Sequence, residues 1–177
     1  MKKKKQPRHP DSKYQGGMLV TLDPGLRGTG IAIWDSGKLF ATKVVEPTAG
    51  DWWTRSRFVA DAIYNHVCFY MSDRPAGPNR DRYRIIMETT QFMGSGMAWK
   101  TGDMQKLTFL NGVIYERLRQ AKSFYPVMPN EWKGQLPKDV VIERAERELG
   151  KKFCARLGVK THAWDAVGIG LWAMGRL

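Results

Sequence analysis

Three acidic residues occupy positions where a folded chain could put them to chemical use. Asp23 ends the apolar run "MLVTLD" and is followed by a Pro-Gly turn, Glu88 ends a second run, "YRIIME", and Asp165 lies in "HAWDA", three residues after His162. If the two runs are neighbouring parallel strands, their carboxyl ends bring Asp23 and Glu88 together, and as unpaired anions they would repel. A hard divalent cation such as Mg²⁺ prefers carboxylate oxygens and would hold them. His162 and Asp165, at i and i+3, share one side of a helix and can complete the cluster. His162 would then act as ligand or as proton carrier. Taken alone, Asp23 is no more than the start of an Asp-Pro-Gly turn; the argument needs all the acidic positions at once. The glycines of "GLRGTG" do not make a dinucleotide loop, because their order differs and strand-like sequence follows instead of a helix.

Such a cluster needs elements to carry it. The run from Met18 to about Leu22 reads as a buried strand closed by Asp23, "TGIAIW" alternates as a second, and "DSG" turns the chain into "KLFATKVV", giving a three-strand meander. From Asp51 to about Met71, Phe58, Ala62, Ile63, Val67 and Tyr70 recur at helical spacing. A Pro-rich linker, "SDRPAGPNRDR", precedes the Glu88 strand. A second helix spans Asp103 to about Arg119, with Met104, Leu107, Leu110, Ile114 and Leu118 in one stripe. "SFYPVMP" reads as a fifth strand containing Pro126, and "NEWKGQLPK" as a basic loop. Pro137 is placed to open a helix that ends at Leu149, before Gly150. A last helix starts at Thr161 as its N-cap. Within it, Gly168 lies one turn beyond Asp165. Glycine there costs about 1 kcal/mol against alanine, so Gly168 and Gly170 either let the helix approach the sheet or make room for a large neighbour such as Trp172. The fold class is α/β: a five-stranded mixed sheet, a meander then two parallel strands, with helices on both faces.

The 177 residues, 42% of them hydrophobic, suit one domain over residues 18–177 behind a basic disordered tail, residues 1–17. Net charge is +12. The tail contributes Lys2, Lys3, Lys4 and Lys5, and the body is basic as well, which points to a polyanionic partner such as nucleic acid. Cys68 and Cys154 match no ligand spacing and read as ordinary thiols in a reducing compartment. No run is long enough to span a membrane and no secretory signal is present, so a cytoplasmic protein without a membrane partner is expected.

Together, "LDPGLRGTG", "IIMETTQFM" and "HAWDA" resemble the RuvC family of Holliday junction resolvases, within the ribonuclease H-like superfamily, over the chain from about Met18 onward. The short length and divergent middle look like bacteriophage members. The resemblance implies a ribonuclease H-like fold and a homodimer that binds four-way DNA junctions and nicks two strands by Mg²⁺-dependent hydrolysis, with Mn²⁺ able to substitute. It implies that Asp23, Glu88, His162 and Asp165 are catalytic metal ligands, with His162 where relatives carry Asp or His. Phe92 resembles an aromatic that stacks in the opened junction, one residue later than the family pattern, and Lys133 and Lys138 resemble basic residues that contact the phosphate. The stripe from Asp103 to Arg119 is the candidate dimer surface. A nucleotide cofactor is not expected, since the related actin and sugar-kinase proteins need a second domain to enclose ATP. Flap or fork debranching, and ribonuclease H action on RNA–DNA hybrids, remain open as alternatives.

Overall fold

The structure is a computed structural model that describes residues 17–47, 49–72, 83–89 and 102–177. Lys2 to Lys5 and Phe92 lie outside the described residues. Strand β1 (Met18–Asp23) pairs antiparallel with β2 (Thr29–Asp35), which pairs antiparallel with β3 (Lys38–Val45). Ser36 and Gly37, both with positive φ, make the tight turn between β2 and β3, as a two-residue hairpin requires. Helix α1 (Trp52–Ser72) follows, then β4 (Tyr83–Glu88), α2 (Asp103–Arg117) and β5 (Ser123–Val127). The strand order is β3-β2-β1-β4-β5, with β1, β4 and β5 mutually parallel. Pro126 is tolerated because β5 is an edge strand and its missing donor breaks no ladder on the outer side.

The remaining helices are α3 (Pro129–Trp132), α4 (Lys138–Leu149), α5 (Lys151–Leu157) and α6 (Thr161–Ala173). Strand alternation sends Met18, Val20 and Leu22 to one face, where they pack with Val59 and Ile63 of α1 and Leu110 and Ile114 of α2. Leu19 and Ile86 go to the other, with Trp132, Val141 of α4, and Val167 and Ile169 of α6. Helices therefore cover both faces of the sheet, as the sequence pattern implies.

Local details depart from the sequence reading. The stretch taken as a basic loop begins with the single turn of α3, closed when Glu131 accepts the backbone N–H of Met128 at 2.7 Å. Pro137 is the N-cap of α4 and not its first residue, and Lys160, not Thr161, caps α6. In neither case does a side chain cap the helix.

Candidate active site

Period-two alternation that puts Leu19 on the α6 face of the sheet also sends Asp23 there, and the same rule applied to Ile86 sends Glu88. The register is parallel through Leu22 opposite Met87, so the two carboxylates leave the sheet side by side at its carboxyl edge. Helix α6 crosses that face and adds Asp165, which is buried. Its height is set by glycines. A Cβ on Gly30 would stand 2.0 Å from the carbonyl oxygen of His162, and one on Gly170 would stand 2.3 Å from the Trp34 indole. Only bare backbone permits this approach of helix to sheet. Gly168 serves a different contact from the sheet approach considered above: a Cβ there would lie 2.7 Å from Trp132 and 2.9 Å from Val141, so it makes room for α3 and α4. The large neighbours are thus Trp132 and Trp34.

Trp132 then reaches the site itself. Its indole Nε1 donates to Glu88 Oε2 at 2.6 Å, fixing that carboxylate. Next to it, Lys133 Nζ lies 3.8 Å from Glu88 Oε2 and 3.8 Å from Asp165 Oδ1, while Lys138 Nζ donates to Asp165 Oδ2. Three carboxylates and two ammonium groups thus form one electrostatic unit. Burial pushes Asp23 well above the usual carboxylate range, the charges of Glu88 and Asp165 push it further, and Lys133 and Lys138 only partly oppose them. Glu88 is raised as well, mainly by burial, against the lowering effect of Lys133 and the Trp132 hydrogen bond.

Five of the candidate residues therefore come together: Asp23, Glu88, Asp165, Lys133 and Lys138. His162 has its ring beside Gly28: a Cβ on Gly28 would meet its Cδ2 at 3.1 Å and its Nε2 at 3.5 Å. Among the described residues, no three His, Cys, Asp or Glu side chains stand in an arrangement that would hold a metal ion as they are. Lys133 and Lys138 lie against oxygens of Glu88 and Asp165. By donor chemistry the set fits a hard divalent cation: all three groups are oxygen donors, and a cation among them would offset the like charges that raise Asp23. Trp132 was not legible as a site residue; its only sequence signals are its place beside Lys133 and an unexplained glycine on the last helix.

No protein-family model matches the chain, and no curated protein matches it in sequence. Solved structures do match. Thermus thermophilus RuvC aligns at a TM-score of 0.55 with 17% identity, covering 88% of this chain and 92% of that one. T. thermophilus RuvC in complex with a Holliday junction substrate aligns at 0.53 with 17% identity, covering 88% and 90%. The yeast mitochondrial Holliday junction resolvase Ydc2 aligns at 0.58 with 11% identity, covering 91% and 79%. At these identities the likeness is one of fold: this chain has the ribonuclease H-like architecture found in RuvC Holliday junction resolvases. No helix among the described residues is long and apolar enough to cross a membrane.

Proposed function

We propose that the chain is a divalent-metal-dependent endonuclease that cuts branched DNA, with the four-way junction as its substrate and a homodimer as its working form. One observation carries the reading: Asp23, Glu88 and Asp165 converge with Lys133 and Lys138 at the carboxyl edge of a sheet whose fold is shared with junction resolvases.

Asp23, Glu88 and Asp165 would hold Mg²⁺. The bound ions would supply Lewis-acid activation of a water and stabilisation of the departing oxygen. The chain's own groups do the rest. Trp132 fixes Glu88 by its indole N–H, so this carboxylate enters the site with one rotamer selected. Lys133 and Lys138 compensate the acids in the free protein and are within reach of a phosphate placed over them, where their charge would offset the negative charge that develops during hydrolysis. His162, at the start of α6 beside the β1–β2 turn, is placed to carry a proton at the rim. The excess of basic residues, +12 overall, supplies the sequence-independent attraction to DNA phosphates.

The test is Asp23→Asn on a synthetic four-way junction with Mg²⁺, run beside flap, RNA–DNA hybrid and linear duplex. Cutting of the junction in preference to the others, lost by at least a thousandfold in the variant, is expected. Undiminished cutting by the variant would refute the proposal.

A further inference from the structure

The turn that follows Asp23 meets the starts of α1 and α2 around a groove of about 390 Å³, whose lining includes Leu26, Arg27, Trp52, Arg55, Asp103 and Lys106. Arg55 ties the turn to α1, its Nη2 donating to the Leu26 carbonyl at 2.8 Å. Among the charged side chains of the lining, Arg27, Arg55 and Lys106 outnumber Asp103, which pairs with Lys106 at 3.1 Å. Arg27 is exposed. The groove is therefore cationic, and it begins at the edge of the sheet that carries the carboxylates.

Trp52 adds a second feature. The Trp53 ring lies on it with centroids 4.0 Å apart and planes 31° from parallel, and Phe109 of α2 meets both edge-on, at 4.8 Å and 4.2 Å. Although held between these rings, Trp53 is 51% exposed. A fixed, open aromatic surface beside cationic side chains is what grips a single nucleic-acid strand: the cations follow its phosphates, and its bases stack on the rings. A duplex does not fit this description, because its base faces are already covered by one another. Nor does a two-fold mate of this chain, which would bring the same excess of cations to the groove. We infer that the groove receives an unpaired DNA strand, with phosphates against Arg27 and Lys106 and a base stacked on the Trp52–Trp53 pair. Arg27 follows Asp23 by four positions, at most about 14 Å of chain, so the same strand continues over the carboxylates. That continuation rests on the nuclease reading above, whereas the binding of a strand does not.

Fluorescein-labelled oligothymidylate, and a chain of equal length made of abasic nucleotides, are titrated with the protein in EDTA and followed by anisotropy, so that no cutting intervenes. The wild-type protein is expected to bind oligothymidylate about tenfold more tightly than the abasic chain, within the worth of one base stacked on an aromatic ring. Trp53→Ala should shrink that difference to less than twofold by weakening oligothymidylate alone, and Trp53→Phe should restore most of it. Arg27→Ala should weaken both chains alike and lower the slope of log affinity against log salt by about 0.7, the release expected for one phosphate of a single strand. Equal wild-type affinity for the two chains, a comparison that needs no variant, would overturn the inference. So would a Trp53→Ala protein that keeps the wild-type preference, or one that sediments as a monomer where the wild type is a dimer, which would make the tryptophans a subunit contact. Base-dependent strand binding without any cutting of junctions would support the groove and remove the nuclease reading; cutting without base-dependent binding would do the reverse.

Discussion

The two faces of the sheet are built on different terms. On the α1 and α2 face, contact is made by interchangeable apolar surface: Leu22, Ile31 and Ile33 meet Val59, Ile63, Val67 and Ile114. At their outer surface those two helices are joined by the exposed pair Arg117–Asp61 at 2.6 Å, among other contacts. On the α6 face, contact is fixed atom by atom. Thr21 is fully buried, donates to the Ala166 carbonyl at 2.7 Å and accepts the Trp34 indole N–H at 3.1 Å. Gly30, Gly168 and Gly170 each bring backbone against something that leaves no room for a methyl group. One face stabilises the domain, and the other holds Asp165 at a set height over Asp23 and Glu88. Position costs more in sequence than stability does, which is why the glycines and the buried threonine gather on the side that carries the three carboxylates.

Substitutions on the two faces should separate these roles. Ile63→Ala opens a cavity in the α1 layer and is expected to lower unfolding free energy by about 2–5 kcal/mol, read from denaturant midpoints, while the rate of junction cutting per folded molecule at low temperature stays within twofold of wild type. Gly170→Ala drives a methyl group into Trp34 and is expected to cost about 1–3 kcal/mol, yet it should slow cutting on the order of a hundredfold, the penalty for displacing a reacting group by about an ångström. If Ile63→Ala proved the more damaging to catalysis, the division between the faces would be wrong. The smallest effect is expected from Arg117→Ala. That exposed pair should be worth less than about 1 kcal/mol, with cutting unchanged.

The same contrast explains what could be read in the sequence. Strands and long helices were legible because their apolar periods are set by the whole face they bury: the Asp23 and Glu88 strands and the Asp103 helix fall where the pattern puts them. The acids were legible because each ends an apolar run. The contacts that fix them were not. A glycine inside a helix announces that something large approaches, without saying what: Gly168 meets Trp132 and Val141, and Gly170 meets Trp34. The turn of α3 was invisible because four residues carry no period; it is held by one Glu131 hydrogen bond and by Trp132, which is buried with its indole N–H on Glu88. Asn111 carried no signal in the sequence. Only the fold places it in the wall of a cavity shared with Glu88.

The central claim is that the three carboxylates form a cation site, and Mg²⁺ titration followed by thermal melting at pH 7.5 tests it most directly. The folded state raises the pKa of Asp23, so the stability tied to that group is fully present below the ordinary carboxylate value and is lost as pH rises through the raised one. At pH 7.5, above the ordinary carboxylate value, stability tied to this group is already reduced in the free protein, and a bound cation, which favours the ionised carboxylate, should restore what is lost. Saturation to a hundredfold the dissociation constant is worth about 2.7 kcal/mol, or roughly 5–10 °C in a domain of this size. Asp23→Asn should melt higher than wild type without metal and gain almost nothing from Mg²⁺ or Mn²⁺. A wild-type melting temperature indifferent to both ions, or the same gain in the variant, would contradict the account.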